Sequence, residues 1–172
     1  MTTTSPNAEQ FSGLILLTGE DKPGLAHSLF EALSPFSVAV IDIDQIIIKD
    51  RLILTVQISL NPAHQSAIEK DLNSLAEFLQ VDIAAVFSMS MIQTQKPDQL
   101  RLTMKSEKMH PKYLSLVTKS LLATGANIED IQRSATDPFE ITIEISGISK
   151  LQLTEVIDTV ESGTDFSLIS GV

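Results

Sequence analysis

Two aspartates, Asp42 and Asp44, are placed where a pair of carboxylates could carry out phosphoryl-transfer chemistry. They follow the apolar residues 38–41, and the segment VAVIDIDQIII that contains them matches the D-x-D part of a D-x-D-x-[TV] pattern. In that pattern the first carboxylate is the nucleophile and the second handles the proton of the leaving group. The sequence therefore raises two alternatives, a catalytic pair or two ordinary residues of a half-buried strand.

A second candidate is the loop Gly19-Glu-Asp-Lys-Pro-Gly24, between a predicted strand and a predicted helix. Glycine lets a ligand approach the main chain, and the free N–H groups of a helix start favour an anion such as a carboxylate. Asp21 could accept hydrogen bonds from a ligand ammonium group. The loop would thus hold a zwitterion, and the alternative is a tight turn that only caps the helix.

Other catalytic and metal-binding chemistry finds little support in the residues. The chain has no cysteine, which removes disulfides, thiolate nucleophiles and cysteine metal sites. His27, His64 and His110 have no partner at metal-ligand spacing. No G-x-S-x-G, G-x-x-x-x-G-K-[ST] or G-x-G-x-x-G motif occurs. We expect no catalytic residue, no metal site and no cofactor within this chain.

The acidic composition limits the partners of the chain. Lys and Arg together number 12 against 22 Asp and Glu, for a net charge of −10. Such a chain repels phosphate backbones and anionic lipids, so we expect no direct binding to nucleic acid or membrane. The N-terminus lacks the features of a signal peptide, and no apolar run reaches the ~20 residues of a membrane span, so we expect a cytoplasmic location.

The elements that must position these residues occur twice along the chain. Apolar residues predict the order strand, helix, strand, strand, helix, strand over residues 12–92, and the same order returns over residues 100–172. A shift of 88 residues places Leu33 on Leu121 and Ile43 on Ile131. The predicted fold class is therefore α+β, with two tandem βαββαβ units, each an antiparallel sheet with its helices on one face.

The predicted organisation is a flexible tail over residues 1–11, a first domain over 12–92, a polar linker over 93–99 and a second domain over 100–172. Predicted strands are 14–17, 37–48, 51–60, 81–91, 100–104, 126–134, 139–146 and 166–169, and predicted helices are 25–33, 63–79, 111–124 and 149–161. Because helices cover one face only, each sheet keeps a free face and free edges, and must find a second sheet in the same chain or another.

The repeat decides between the two alternatives for the aspartates. Asp42 falls on Asp130 and Asp44 on Gln132, and an acidic residue shared by both copies is more simply a strand position. Residue 46 is Ile where the pattern of haloacid-dehalogenase-type phosphatases has Thr or Val, and no later acidic pair completes a magnesium site. We expect Asp42 to be a strand residue and not a nucleophile.

The stretch LTGEDKPGLAHSLFEAL, in a βαββαβ unit, resembles the ACT domain, a small amino-acid-sensing module. VIDIDQIIIKDRLILTVQIS is similar to the first ACT domain of actinobacterial-type phosphoserine phosphatases, and GANIEDIQRSATDPFEITIEIS to their second. The resemblance extends from Leu14 to Ile169 and implies two tandem ferredoxin-like domains. In that family a magnesium-dependent catalytic domain follows the ACT domains, and it would begin near Val172, where this chain stops.

The resemblance also implies a ligand site at an interface between ACT domains, built from the loop after strand one and a residue at the start of strand two. The first repeat keeps the loop but has Ala39 at the strand position, whereas the second has Asn127 there and a loop, residues 106–112, without glycine. We therefore predict a site within one chain or across a dimer. Its implied ligand-binding residues are Gly19, Glu20, Asp21, Pro23, Gly24, Leu25 and Asn127.

The function implied by the resemblance is an amino-acid-binding regulatory module of serine biosynthesis. It would bind L-serine, with glycine as the second candidate, form a homodimer through its sheets, and control an attached or partner phosphoserine phosphatase domain. Mg²⁺ would be needed only by that catalytic domain. One alternative is a stand-alone regulator resembling the tandem-ACT repressor of the glycine cleavage system, acting through a protein partner. Another is a fragment of the enzyme, and a gene that continues past Val172 into D-x-D-x-T would identify it.

Overall fold

A computed structural model describes residues 9–91, 98–161 and 167–171. The chain forms two compact units, which divide between Thr94 and Gln95, within the segment predicted to be a linker. Residues 93–97 of that segment lie outside the described residues, as do residues 1–8 of the predicted tail.

The first unit follows the predicted order of four strands and two helices. Its elements are β1 (Glu9–Glu20), α1 (Leu25–Leu33), β2 (Ala39–Ile48), β3 (Arg51–Ser59), a 3-10 turn (Pro62–His64), α2 (Gln65–Leu79) and β4 (Asp82–Met91). The four strands form one sheet in the order β2-β3-β1-β4, with every neighbouring pair antiparallel. β1 and β3 are therefore the central strands, and β2 and β4 are the edges.

The second unit repeats this arrangement. Its elements are β5 (Leu100–Ser106), α3 (Pro111–Ala123), β6 (Asn127–Thr136), β7 (Phe139–Ser146), α4 (Lys150–Glu161) and β8 (Ser167–Gly171). The strand order is β6-β7-β5-β8, again antiparallel throughout. The predicted fold class, two antiparallel ferredoxin-like units with helices, is confirmed.

Each unit has its own core, formed where one face of its sheet packs against its helices. Along β3 every second residue is buried, because successive side chains of a strand point to opposite faces. The first core consists of Ile15, Leu17, Leu25, Leu29, Leu33, Leu52, Leu54, Val56, Ile58, Leu60, Ile68 and Leu72. The second core consists of Leu102, Met104, Val117, Leu121, Ile141, Ile143, Ile145, Leu153, Val156, Ile157, Val160 and Leu168. Two separate cores agree with two units that fold on the same plan.

The edge strands β2 and β6 share an irregularity that ties the two repeats together. The pairing of β2 with β3 shifts between Val40 and Asp42, and the pairing of β6 with β7 shifts between Ile128 and Asp130. These positions are related by the same 88-residue shift that aligns the two halves of the sequence. A bulge kept at one place in both copies shows that the sequence repeat is also a structural one.

β1 differs most from its predicted bounds, since it spans 12 residues where only Leu14–Leu17 was expected. It begins at Glu9, so the prediction of a flexible tail is wrong for residues 9–11. These residues form a ladder with residues 89–91 of β4. The physical reason is that backbone pairing holds each end of β1 to a neighbouring strand, residues 9–11 to β4 and residues 19–20 to β3, and such pairing needs no apolar alternation. The extension places Gly19 and Glu20 inside the strand and not in the loop that follows it.

Gly19 is buried, and its hydrogen in place of a side chain makes room for Val81. A Cβ built on Gly19 would lie 2.6 Å from Cγ1 and 3.1 Å from Cβ of Val81, well inside van der Waals contact. Val81 immediately precedes β4, so this close approach helps to seat β4 against β1. The conformational freedom of glycine is thus not needed at this position, whereas its small size is.

We expect Gly19→Ala to destabilise the first unit by about 1–3 kcal/mol, because the new methyl group overpacks against Val81. The measurement is the free energy of unfolding in urea, made in the wild type and in a Val81→Ala background. In the Val81→Ala background the loss of unfolding free energy caused by Gly19→Ala should be smaller than in the wild type. The difference between the two losses should exceed the error of simple addition, about 0.5 kcal/mol. An equal cost in both backgrounds would show that the contact with Val81 is not the reason for the glycine.

Candidate functional site

Six of the seven candidate residues lie where β1 passes into α1. Gly19 is buried within β1, and Glu20 is the last residue of that strand and is exposed. Asp21 and Pro23 lie in the connection and are exposed, whereas Leu25 is the first residue of α1 and is 4% exposed in the core. Asp21, Pro23 and Gly24 therefore present the accessible surface of this loop, while Gly19 and Leu25 support it from within.

Gly24 is the residue that turns the chain into α1. It has φ 94°, in the left-handed region that favours glycine, and it is the N-cap of the helix. A Cβ at this position would meet no atom within 4 Å, so the requirement for glycine is conformational and not steric. The carbonyl oxygen of Gly24 accepts a hydrogen bond from the N–H of Ser28 at 2.9 Å, which closes the first helical turn.

The start of α1 has no side-chain cap within the described part of the chain. No side chain there accepts a hydrogen bond from its first turn, and that turn holds no acidic residue. The first N–H groups of a helix lack intrahelical acceptors, and they coincide with the positive end of the helix dipole. An external carboxylate would satisfy these groups, which makes the helix start a candidate for anion binding.

The loop before this helix start carries three charged residues, Glu20, Asp21 and Lys22. Nζ of Lys22 lies 2.9 Å from Oε2 of Glu20, so the one cation of the loop is engaged by its neighbour. The carboxylate of Asp21 forms no ion pair with any described residue. Its exposure leaves it able to accept hydrogen bonds from a positively charged group outside the chain.

A backbone hydrogen bond holds the loop against the β2–β3 hairpin. The N–H of Asp21 donates to the carbonyl oxygen of Asp50 at 2.7 Å, and Asp50 lies in the two-residue turn that joins the hairpin strands. Asp50 was not among the residues predicted to contribute, because the sequence marks it only as a turn residue. The loop and the hairpin turn are thus joined directly through the main chain.

The corresponding helix start in the second unit is occupied by the protein itself. Nδ1 of His110 accepts a hydrogen bond from the N–H of Lys112 at 3.2 Å, and Pro111 occupies the first turn. Proline has no N–H to offer, and the histidine satisfies another of the terminal donors. The two repeats therefore differ at the position where an anion would bind, open in the first and capped in the second.

Asn127, the seventh candidate residue, lies in the second unit at the start of β6 and is exposed. Its Nδ2 donates to Oε1 of Glu129 at 2.6 Å. Asn127 also lines an open groove of about 600 Å³ between the second half of α3 and the start of β6. The other residues that line this groove are Ser115, Thr118, Lys119, Leu122, Ala126 and Ile128.

The groove contains polar residues that the sequence pattern did not single out. Lys119 provides a cation and Thr118 a hydroxyl on the helix that faces Asn127. The available signal was the repeat itself, since the 88-residue shift places Lys119 on Glu31 and Asn127 on Ala39. At these two positions the first unit has an acidic and an apolar residue, whereas the second has a basic residue and an amide. The two copies therefore differ in this region.

Asp42 and Asp44 lie on β2, as expected for strand residues. They are opposite Gln57 and Thr55 of β3, and both are exposed. Oδ1 of Asp42 accepts a hydrogen bond from the N–H of Ile43 at 2.9 Å, a local contact at the bulge. The two carboxylates therefore occupy the surface of an edge strand.

Two negative results apply to the described residues. Within residues 9–91, 98–161 and 167–171, no three His, Asp or Glu side chains come together as a group that could hold a metal ion. In the same ranges, no helix has the length and apolar character needed to cross a membrane.

Residues 13–86 match the family model described as ACT domain. The chain is 28% identical over 123 residues to a phosphoserine phosphatase of Mycobacterium tuberculosis, which covers 70% of this chain and 30% of that protein. It is 22% identical over 161 residues to a phosphoserine phosphatase of Streptomyces coelicolor, which covers 91% of this chain and 39% of that protein. The aligned part is thus about a third of the length of these curated relatives.

Solved structures show the same fold over nearly the whole chain. A crystal structure of a candidate glycine cleavage system transcriptional repressor matches with a TM-score of 0.76 at 15% identity, covering 94% of this chain and 96% of that chain. A protein of unknown function from Galdieria sulphuraria matches with a TM-score of 0.67 at 19% identity, covering 95% and 98%. Identities this low show the fold and not the ligand.

We expect Gly24→Ala to lower the free energy of unfolding by about 1–2 kcal/mol, the cost of holding an L-residue in the left-handed region. Gly24→Asn should cost less, because asparagine tolerates that region better than other residues with a side chain. Urea unfolding of the two variants measures both values. Equal losses for alanine and asparagine would contradict a conformational origin for the glycine.

Proposed function

We propose that the chain is a regulatory module, not a catalytic one, and that it binds a small amino acid through residues 13–86, the part that matches the ACT domain model. L-serine is the first candidate and glycine the second. The ligand would control a phosphoserine phosphatase catalytic domain, either attached to this chain or bound as a partner in the cytoplasm. The module itself would need no cofactor, and Mg²⁺ would serve only that catalytic domain.

The observation that carries this proposal is the open start of α1 behind Gly24. The ligand carboxylate would accept hydrogen bonds from the N–H groups of the first turn, where the helix dipole also favours negative charge. The ligand ammonium group would be held by the exposed carboxylate of Asp21. A ligand with only one of the two charged groups would leave one of these contacts unmade, and a ligand with neither would leave both unmade.

The site would be completed by Asn127 of the second unit. Each repeat lacks the part of the site that the other has. The first repeat has the open loop but Ala39 at the strand position, whereas the second has Asn127 there but a capped helix start. An amide can donate to the carboxylate and accept from the ammonium or hydroxyl group of the ligand. The contribution of Asn127 would come from the same chain or from the second copy in a dimer.

Serine is favoured because the curated relatives are phosphoserine phosphatases, and removal of phosphate from phosphoserine yields serine. Binding of the product to a regulatory domain would adjust the activity of the enzyme to the supply of serine. A ligand shifts such an equilibrium only through its different affinities for two arrangements of the protein. The two arrangements proposed are different pairings of the ACT sheets.

A second candidate function is suggested by the full-length match to the candidate glycine cleavage system transcriptional repressor. In that case the ligand would be glycine and the chain would act without a catalytic domain. The net charge of −10 would repel DNA, so regulation would pass through a protein partner. The preference of the site for serine or glycine separates the two functions.

We expect L-serine to stabilise the protein by roughly 2.7 kcal/mol when its concentration is 100 times the dissociation constant. Thermal shift and calorimetry against the twenty amino acids measure this effect. Asp21→Ala and Asn127→Ala should each weaken the binding, since each removes one of the proposed polar contacts. Glu107→Ala is the matched control, because it removes an exposed charge from the loop of the second unit.

Two results would count against the proposed site. Binding that is unchanged in both Asp21→Ala and Asn127→Ala would show that the ligand sits elsewhere. Stabilisation by none of the twenty amino acids would leave a structural or partner-binding role for the domain. Glycine binding more tightly than serine would favour the second candidate function over the first.

We expect the protein to be a homodimer at concentrations of tens of micromolar, because each sheet has a free face and free edges that a second sheet would cover. Leu14, Leu16 and Val86 are exposed on the uncovered face of the first sheet and support this expectation. Light scattering measures the mass in solution. A purely monomeric species at these concentrations would contradict the dimer.

A further inference from the structure

The bulge in β6 gives Glu129 a place outside the regular ladder. The pairing of β6 with β7 shifts between Ile128 and Asp130, so Glu129 is the extra residue that the register skips. A bulge of this kind changes the direction of a side chain. The carboxylate of Glu129 contacts Asn127 and Ser146, the two residues that pair at the start of β6.

Glu129, Asn127 and Ser146 form one hydrogen-bonded cluster. Oε1 of Glu129 accepts a hydrogen bond from Nδ2 of Asn127 at 2.6 Å and a second one from the hydroxyl group of Ser146. Ser146 is buried, whereas Asn127 is exposed. The buried hydroxyl group therefore anchors the carboxylate, and the carboxylate in turn holds an amide at the surface of the protein.

The chemistry of Glu129 fixes which way round the amide of Asn127 lies. An ionised carboxylate only accepts hydrogen bonds, so it must meet the Nδ2 group and not Oδ1. Hydrogen bonds to an ionised group are also stronger than those between neutral groups. No described residue donates a hydrogen bond to Oδ1 of Asn127. The cluster thus uses the donor of this side chain and leaves its acceptor available to a molecule outside the chain.

The first unit lacks this cluster although it has the same bulge. Ala39 and Ile41 occupy the positions that the 88-residue shift assigns to Asn127 and Glu129. Ser59 lies opposite Ala39, so the paired serine is common to both units. The amide and the carboxylate therefore occur together in the second unit and are absent together from the first. A cluster that served only to form the bulge would be needed in both.

We propose that Glu129, anchored by Ser146, is a positioning residue for the amino-acid site, and that it makes Asn127 act on the ligand as a hydrogen-bond acceptor. This inference rests on the proposed function and specifies how Asn127 recognises the ligand. The group that meets Oδ1 is a donor of the ligand, either its ammonium group or its hydroxyl group. The ligand carboxylate is left to the start of α1.

The charge of Glu129 also keeps a carboxylate away from Asn127. Nδ2 has a second hydrogen, but a ligand carboxylate that accepted it would lie close to the carboxylate of Glu129, which accepts the first. Like charges at such a separation repel each other. A donor group of the ligand meets no such repulsion, so the cluster favours an ammonium or hydroxyl group beside Asn127.

An exchange of the two functional groups tests the direction of the hydrogen bonds. In the double variant Asn127→Asp/Glu129→Gln the net charge of the pair is unchanged, and the amide at position 129 donates to the carboxylate at position 127. Position 127 then keeps its acceptor and loses its donor. We expect calorimetry to give a Kd for L-serine within about threefold of that of the wild type. A larger loss of affinity would show that Asn127 donates to the ligand, and would overturn the proposal.

Single substitutions test whether Glu129 acts through Asn127. Glutamine can donate as well as accept, so Glu129→Gln lets the amide of Asn127 turn over, and we expect the Kd for L-serine to rise by about three- to tenfold. Asp130→Asn is the matched control, since it removes the same charge from the next residue, and it should change the Kd by less than about twofold. In an Asn127→Ala background Glu129→Gln should have no further effect.

Two results of these measurements would overturn the positioning role. Equal effects of Glu129→Gln and Asp130→Asn would show that only the charge matters. An undiminished effect of Glu129→Gln in the Asn127→Ala background would show that Glu129 does not act through the amide.

The side-chain amide of Asn127 reports the contact without any ligand. Its NMR signal is identified by its loss in Asn127→Ala. We expect Glu129→Gln and Ser146→Ala each to shift this signal, because each alters the cluster, and Asp130→Asn to leave it in place. A signal that is unchanged in Glu129→Gln would show that the contact is not made in solution, and would overturn the proposal.

Two ligands identify the donor group that meets Oδ1. L-serine and glycine both carry an ammonium group, and only serine carries a hydroxyl group. A loss of affinity in Asn127→Ala that is equal for the two ligands assigns the contact to the ammonium group, and a loss confined to L-serine assigns it to the hydroxyl group. Lys119 lines the groove beside Asn127, and Lys119→Gln should leave both affinities unchanged. A loss in Lys119→Gln as large as that in Asn127→Ala would place the ligand carboxylate in the groove and overturn the proposal.

The failure of this inference can be told apart from the failure of the proposed function. Unchanged binding of both ligands in Asn127→Ala, together with weaker binding in Asp21→Ala, would overturn the role of the cluster and leave amino-acid binding at the loop standing. Binding of none of the twenty amino acids would overturn the proposed function and this inference with it.

Discussion

The alternation of side chains along the central strands β1 and β3, repeated in β5 and β7, is the constraint on which each unit depends. One set of alternate residues packs against two helices and forms the core, and the other set is left on the opposite face. Because both helices of a unit lie on one side, neither the second face nor the edge strands gain a cover from the same unit. Folding therefore produces a stable core together with surfaces suited to a second sheet.

The two repeats keep this plan and differ where ligands and partners would meet them. The bulges after Val40 in β2 and after Ile128 in β6 occupy equivalent positions, which places residues 42–45 and 130–133 in equivalent registers. Yet α1 begins behind an uncapped glycine, whereas α3 begins behind a histidine cap and a proline. The edge strands differ in the same way, with isoleucines exposed on one and charges on the other. The two units therefore share one backbone plan and differ in the residues that they expose at the first helix start and at the edge strand.

The sequence predicted much of the fold because apolar periodicity reports burial directly. β7 was predicted with its observed bounds, and α1 with both of its ends, since each has buried residues at the spacing of its element. β1 was predicted too short, because its outer residues are held by backbone ladders, to β4 at one end and to β3 at the other, and not by an apolar pattern. For the same reason the sequence assigned Gly19 to the loop, although its small size is required by Val81, 62 positions away.

The candidate site was less accessible to sequence reasoning than the fold. The open state of the α1 start depends on the absence of a capping side chain, which a glycine and a following leucine suggest only weakly. The contact between Asp21 and Asp50 joins main-chain atoms, so the types of the two residues give no indication of it. The exposure of β2 was also hidden, because a run of isoleucines in a sequence ordinarily indicates a buried strand.

Gly24 has a further consequence, which concerns chirality. Its backbone lies in a region that handedness makes unfavourable for L-residues, while the space around a Cβ at this position is empty. A D-amino acid, with the mirror-image preference, would adopt this conformation without strain. D-alanine introduced by chemical ligation would therefore preserve the entry into α1 and narrow the freedom of the unfolded chain. The backbone conformation at residue 24 thus depends on the handedness of the residue and not on the size of its side chain.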